Sequence, residues 1–295
     1  MWPSMEFLPT GRKVPKCNFL EHRIKRPWSN PRPFSCCGQG LPALLSSTPM
    51  RLLLIDNSNT RTKFAVVDSV DAPLEAQHIA TTDVCPSFIK TLGELDFEAV
   101  VLSSVVPEKA DLFREVLSPA PLHEISCRSD LPIDIAYPEP GQIGADRLAN
   151  AVAAHARVGA PAIVVDFGTA VTFDVLGGTR TEGSYLGGVI APGLPSMTDY
   201  LHQSTALLPE IDLQEPSSAI GKSTTEAMRS GAVHGYRGMV RGVLRAIRNE
   251  LDETPTVIAT GGDASLIAAG LPEIMEVVQN LTLRGIYLIG ERNLA

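Results

Sequence analysis

The chain has 295 residues, a formal net charge of −8, 44% hydrophobic and 20% charged residues. It is long enough for two domains with their own cores, no apolar run approaches the length of a membrane span, and an acidic body argues against nucleic acid as a partner. Its five cysteines show no zinc-type spacing and no even disulfide framework in the folded part, which points to a reducing compartment, the cytoplasm.

Residues 1–49 differ in kind. They hold seven Lys or Arg against two acidic residues, eight of the 23 prolines and both tryptophans, and without them the net charge is −13. The stretch reads as a disordered leader or a start-site artefact with Met50 as the first residue. A targeting peptide is the alternative, but the prolines break any amphipathic helix and Leu41 to Leu45 is a short apolar core.

From Met50 to about Asp68 the pattern predicts a β-hairpin, with Asp56 at its turn. Phe88 to Leu95 reads as a short amphipathic helix. Ala99 to Leu102 reads as a central strand that empties into Ser103 and Ser104, a place where α/β folds bind ligands; the other reading is a loop whose serines cap the next helix. Residues 132–140 are extended and include Tyr137. Gly141 to Gly144 then leads to Ala145, Asp146 and Arg147, followed by apolar positions at helical spacing. This puts Asp146 in a helix's first turn, where the dipole favours the ionised form and a low pKa. Asp146 is either a helix-capping aspartate or a proton acceptor beside an arginine able to hold a carboxylate.

Ile163 to Asp174 is the stretch around which the chain is organised: a short β-branched run, Asp166 at a turn, Gly168, then Thr169 and Thr172 on a second strand. It repeats the layout of Leu53 to Val66, with Asp56 matching Asp166 and Ser58 matching Gly168. Two such copies predict a duplicated pair of domains, 50–157 and 158–295, with two carboxylates converging on one cleft. Tyr185 to Gly193 reads as a glycine- and proline-punctuated loop or a tight turn. Ala219 to Thr224 looks like the end of a P-loop, but Pro216 stands where the first glycine is required and no strand precedes it, so that reading is rejected. Thr225 to about Leu251 is predicted as a long helix with Gly231, Gly235, Gly238 and Gly242 on one face. Their cost of roughly 0.8 to 1 kcal/mol each calls for close approach of another helix, within the subunit or across a dimer. Thr256 to Thr260 is a strand running into Gly261 and Gly262, and the chain closes on a helix.

The paired hairpins resemble those of actin, hexokinase and the heat-shock chaperone ATPases, which implies an α/β fold of two ribonuclease H-like (actin-like) domains with a nucleotide cleft between them. Asp56 to Lys63, Ser103 to Pro107, Gly144 to Arg147, Asp166 to Thr172 and Thr260 to Gly262 occur in the order seen in type III pantothenate kinases, a resemblance that covers Met50 to the C-terminus. It implies a homodimer that phosphorylates pantothenate with ATP, Mg²⁺ and a monovalent cation, K⁺ or NH₄⁺. By the same resemblance ATP is bound by Asp56, Asn57, Ser58, Asn59, Thr60, Arg61, Thr62, Lys63, Thr169, Gly261 and Gly262. Pantothenate is framed by Tyr137, Gly144, Ala145, Asp146, Arg147 and Thr224, with Asp146 as general base. Asp56 positions Mg²⁺ directly or through water, and Asp166 holds the monovalent cation. The family pattern has glycine where this chain has Ser58; if that position needs φ > 0, serine introduces strain of about 1 kcal/mol. The rival readings are a non-catalytic accessory protein on the same scaffold, since relatives have been described as factors affecting gene expression, and another actin-like kinase acting on a sugar or acetate.

Overall fold

A computed structural model describes residues 50–70 and 74–294; the leader expected over residues 1–49 lies outside the described residues. The apolar run after Arg51 forms β1 (Leu52–Asn57), followed by β2 (Arg61–Val67), β3 (Gln77–Ala80), α1 (Pro86–Gly93), β4 (Ala99–Ser104), α2 (Pro107–Val116) and β5 (Leu122–Glu124). β6 (Asp134–Ile135) and α3 (Ala145–Val158) lead to the second hairpin, β7 (Ala162–Phe167) and β8 (Ala170–Gly178). Then come β9 (Gly183–Pro192), α4 (Pro195–Ser204), α5 (Thr224–Arg248), β10 (Thr256–Gly261), α6 (Ala264–Ala268), β11 (Glu276–Val277) and α7 (Leu281–Leu294).

The strands form two mixed sheets, ordered β3-β2-β1-β4-β5 and β11-β10-β7-β8-β9-β6. Within the first, β1 is antiparallel to β2 and parallel to β4; within the second, β7 is antiparallel to β8 and parallel to β10. Apart from β6, the second order is the first one read from its other edge. Each unit is therefore an antiparallel meander of three strands followed by two parallel ones, and the parallel pair is joined by α2 in one unit and α6 in the other. The duplication expected from the two acidic hairpins is present in the strand order itself.

β1, β4 and β7 sit mid-sheet with both faces covered, which is why they read as continuous apolar runs. Side chains of successive residues still alternate. Leu53, Ile55, Val100 and Leu102 pack with Ile89 and Leu92 of α1 and Phe113 of α2. Ile163, Val165, Phe173 and Val257 pack with Val233, Tyr236, Val240 and Leu244 of α5. The opposite faces share one core: Leu52, Leu54 and Val101 meet Val164 and Ile258 through Leu148 and Val152 of α3 and Leu283 and Ile286 of α7. By that alternation Asp56, two residues after Leu54, and Asp166, two after Val164, belong to the faces that look toward α3 and α7.

Three local expectations change. Tyr185 to Gly193 is not a loop or a turn: residues 183–192 are β9, paired along β8 with a register shift at Val175/Leu176. Its glycines answer to a neighbour, since a Cβ on Gly188 would lie 1.9 Å from the Phe173 carbonyl oxygen and 2.6 Å from Arg147 Nη2. Ser58 is unstrained, because among the described residues Asn280 is the only non-glycine with positive φ, and Gly168 too lies outside that region. Ser104 is not the N-cap of α2, which is Val106 without a side-chain bond of its own; the Ser104 hydroxyl accepts the Val106 N–H at 3.2 Å just ahead of the helix and donates to Asn57 Oδ1 at 2.8 Å. The P-loop lookalike is a helix start, with Ser223 Oγ accepting from Glu226 N–H and Glu226 Oε2 accepting from Lys222 N–H.

Candidate active site

Three carboxylates reach one place from three elements. Asp56 and Asp166 are each the next-to-last residue of their strand, and the residues opposite them are Lys63 and Thr172. Asp146 enters from the first turn of α3, where its Oδ1 accepts the Arg147 backbone N–H at 2.8 Å. A Cβ on Gly144 would stand 2.5 Å from that oxygen, so the bare backbone before α3 makes room for the carboxylate. Asp56 feels both Asp146 and Asp166 as like charges, and Lys63 offsets it.

Burial is the dominant influence on all three. It pushes Asp56 up to about 7, with Lys63 pulling down and the other two acids pushing further up. Asp166 is raised by burial, held back by the Asn150 amide and Lys63. Asp146 is also raised by burial, against the Arg147 backbone N–H. The expected low pKa of Asp146 is thus reversed: the helix start stabilises the charge less than the surrounding apolar packing penalises it.

The other sequence-assigned residues fall as follows. Asn57 is buried and donates from Nδ2 to Thr62 Oγ1 at 2.7 Å, so both brace the hairpin from within. Ser58 Oγ lies 3.4 Å from Asp56 Oδ1, and Asn59, Thr60 and Arg61 are exposed at the hairpin tip. Thr60 and Thr169, at the tips of the two hairpins, share a hydroxyl hydrogen bond of 2.9 Å. Gly261 has φ +98° and lies beside Phe167; the Cβ position of Gly262 is open. Tyr137 packs edge-on to Tyr185 at 6.3 Å, Ala145 is buried at the head of α3, and Thr224 is exposed at the head of α5 with no hydrogen bond to the acids among the described residues.

Several participants escape a reading of the sequence. Asn150 Nδ2 donates to Asp166 Oδ2 at 3.0 Å, and Thr282 Oγ1 donates to Asn150 Oδ1 at 2.9 Å. Asn150 lies four residues after Asp146, on the same face of α3, which is the signal that could have found it. Ser103, by contrast, is at the strand end the sequence singles out: it is paired in register with Asp56 and has a buried hydroxyl without a partner among the described residues. Asp174, fully buried, accepts Arg147 Nε at 2.7 Å and the Tyr185 hydroxyl at 2.9 Å. Among the described residues no group of three His, Cys, Asp or Glu is arranged to hold a metal. No described helix is long and apolar enough to cross a membrane.

Duplicated meander-plus-parallel units with one aspartate next to the end of the first hairpin strand in each define an α/β protein of the actin-like, ribonuclease H-like class. Solved structures agree on the fold. A conserved putative Baf family transcriptional activator from Campylobacter jejuni matches with a TM-score of 0.55 at 18% identity, over 82% of this chain and 98% of that one. The Lmo2764 protein of Listeria monocytogenes, a putative N-acetylmannosamine kinase, matches with a TM-score of 0.52 at 11% identity, over 83% and 100%. Sequence narrows the class. The type III pantothenate kinase family model matches residues 52–246. A type III pantothenate kinase of Akkermansia muciniphila is 52% identical over 247 residues, 83% of this chain and 100% of that protein. One from Methylacidiphilum infernorum is 43% identical over 243 residues, 81% and 88% respectively. The chain belongs to the type III pantothenate kinase family.

Proposed function

We propose that this protein transfers the γ-phosphoryl group of ATP to the primary hydroxyl of pantothenate, giving ADP and 4′-phosphopantothenate, the first step toward coenzyme A. The observation that carries the reading is the convergence of Asp56, Asp146 and Asp166 with Lys63 in a chain of this family. Phosphoryl transfer asks a protein chiefly to align the groups and to neutralise charge.

Asp146 is the proposed general base for the acceptor hydroxyl. Its raised pKa brings it closer to the operating pH and makes it a better proton acceptor than an ordinary aspartate. Lys63, Thr169 and the hairpin tip from Ser58 to Arg61 contact the phosphates, while Asn57 and Thr62, buried and bonded to each other, hold that hairpin in shape, and Gly261 and Gly262 offer bare backbone to the adenosine. Tyr137, Gly144, Ala145, Arg147 and Thr224 frame the pantothenate. Asp56 suits a hydrated Mg²⁺: it is a hard oxygen donor, its burial leaves the charged form short of positive partners, and without a three-acid shell the ion would keep water and phosphate ligands. Once bound, Mg²⁺ supplies neutralisation of the phosphate charge. Asp166, with Oδ2 engaged by Asn150, is the proposed carboxylate for K⁺ or NH₄⁺. The two halves are assigned as 50–157 and 158–295.

We further assign a homodimer built on α5. Gly231, Gly235, Gly238 and Gly242 are all exposed, and Cβ atoms on Gly231, Gly238 and Gly242 would meet nothing within 4 Å. Packing inside the subunit therefore does not offset their helix cost at those three positions, which favours a second copy.

The test is ADP release dependent on pantothenate, measured with K⁺ and with Na⁺ in its place. Turnover that needs pantothenate and prefers K⁺ supports the assignment. ATP binding without pantothenate-dependent turnover would reject it, in favour of the non-catalytic role, and equal rates in Na⁺ would reject the role of Asp166.

A further inference from the structure

Asp174 has no task in the chemistry above, yet it is a carboxylate with zero exposure in the interior of β8. A well-packed apolar residue of similar size is often no less stable than a buried ion pair, so stability alone does not account for it. Its Oδ1 accepts both Arg147 Nε at 2.7 Å and the Tyr185 hydroxyl at 2.9 Å. The guanidinium lies over the Tyr185 ring, 5.8 Å from its centroid. On its other flank the chain passes so close that a Cβ on Gly188 would reach 2.6 Å from Nη2. Arg147 is thus held from behind through Nε, supported on an aromatic face and confined by backbone, while Nη2 is buried with no partner among the described residues. A buried donor left unpaired is costly and is an invitation to an acceptor.

We infer that Asp174 is a positioning residue: it holds Arg147 by Nε so that the remaining guanidinium donors form a fixed receptor for a carboxylate at the end of the acceptor remote from the reacting hydroxyl. This rests on the pantothenate reading above and adds to it the residue that enforces selection for an acidic acceptor. A carboxylate can accept from a planar fork with both oxygens. A neutral amide of the same acid presents N–H donors to those donors and loses the match. Preorganisation of this kind acts on substrate binding and on discrimination, with the reacting end untouched.

The test compares wild type, Asp174→Asn and Tyr185→Phe in the full chain, with pantothenate and with a neutral N-alkyl amide of pantothenate as acceptors. Asp174→Asn is expected to raise the KM for pantothenate on the order of tenfold to a hundredfold, the scale of a misplaced binding group. The kcat and the KM for ATP stay near wild type, and the preference for acid over amide shrinks. Tyr185→Phe moves the same quantities in the same direction by less, and carries the test if Asp174→Asn fails to fold. An unchanged KM for pantothenate in a folded variant, or equal losses on acid and amide, would overturn the inference and leave a structural ion pair. If wild type shows no turnover, the kinase reading fails separately. Calorimetric binding of pantothenate to wild type and to Asp174→Asn then decides the matter: weaker binding by the variant supports the inference and equal binding overturns it. A wild type that neither turns over nor binds pantothenate overturns both.

Discussion

Replacing Asp56 with asparagine should stabilise the unliganded protein at alkaline pH while removing its activity. Burial raises the Asp56 carboxyl from 3.8 to about 7, so the folded state binds a proton that the unfolded state has already released across that interval. When the folded-state pKa of an acid lies above its unfolded value, stability falls as pH rises between the two. The window here runs from about pH 4 to about pH 7. Roughly three units at 1.36 kcal/mol each set an upper bound near 4 kcal/mol, and relaxation around a buried group brings a working figure to about 2 kcal/mol. For a folded body of this size that is a melting shift of about 4–8 °C. Asparagine keeps the shape and can still accept from Ser58, but carries no charge to bury. Thermal unfolding of wild type and Asp56→Asn at pH 5 and pH 8, without nucleotide, reads the effect. The difference in Tm, variant minus wild type, should be more positive at pH 8 than at pH 5 by about two thirds of that amount, since roughly one of the three units is already lost below pH 5. A difference independent of pH, or one that moves against the variant at pH 8, would refute the account of why this carboxylate is poised to receive a cation.

Asp146→Asn should lower kcat by about 10²–10⁴, the usual range for a general base, with ATP affinity by calorimetry unchanged; wild-type turnover would remove Asp146 from that role. Gly238→Leu points into open space on α5, so circular dichroism should show an intact and no less stable subunit while sedimentation shows loss of the dimer; an unaltered dimer would count against α5 as the contact. Asn150→Ala takes the amide donor from Asp166 and the acceptor from Thr282, one part-buried and one buried bond whose loss should cost about 2–4 kcal/mol in chemical denaturation; a loss under about 1 kcal/mol would mean that water replaces both.

The duplicated fold is legible in the sequence because strands buried on both faces must be short apolar runs, and an acid that ends such a run stands out. Asp56 and Asp166 stand out in this way, and the order of the motifs adds the family. What escapes depends on contacts between elements. The raised pKa of Asp146 comes from the packing around the head of α3, whereas a sequence supplies only the helix start and its dipole. β9 reads as a loop because Gly187 and Gly188 are punctuation in a linear reading, yet Gly188 is small because Arg147 and the β8 backbone press against it. Asp174 is one polar residue of an alternating strand, and only its pairing with Arg147 and Tyr185 sets it apart. Ser58 illustrates the converse: strain there requires a left-handed turn that neither hairpin uses at that position.

The most direct measurement follows the phosphorus itself, by ³¹P NMR of ATP, Mg²⁺, K⁺ and pantothenate with wild type and with Asp146→Asn. Under wild type a phosphate monoester resonance should grow as the γ-phosphate is lost, and under the variant it should be absent over the same time. Inorganic phosphate with unmodified pantothenate, or the same monoester at the same rate from Asp146→Asn, would contradict it.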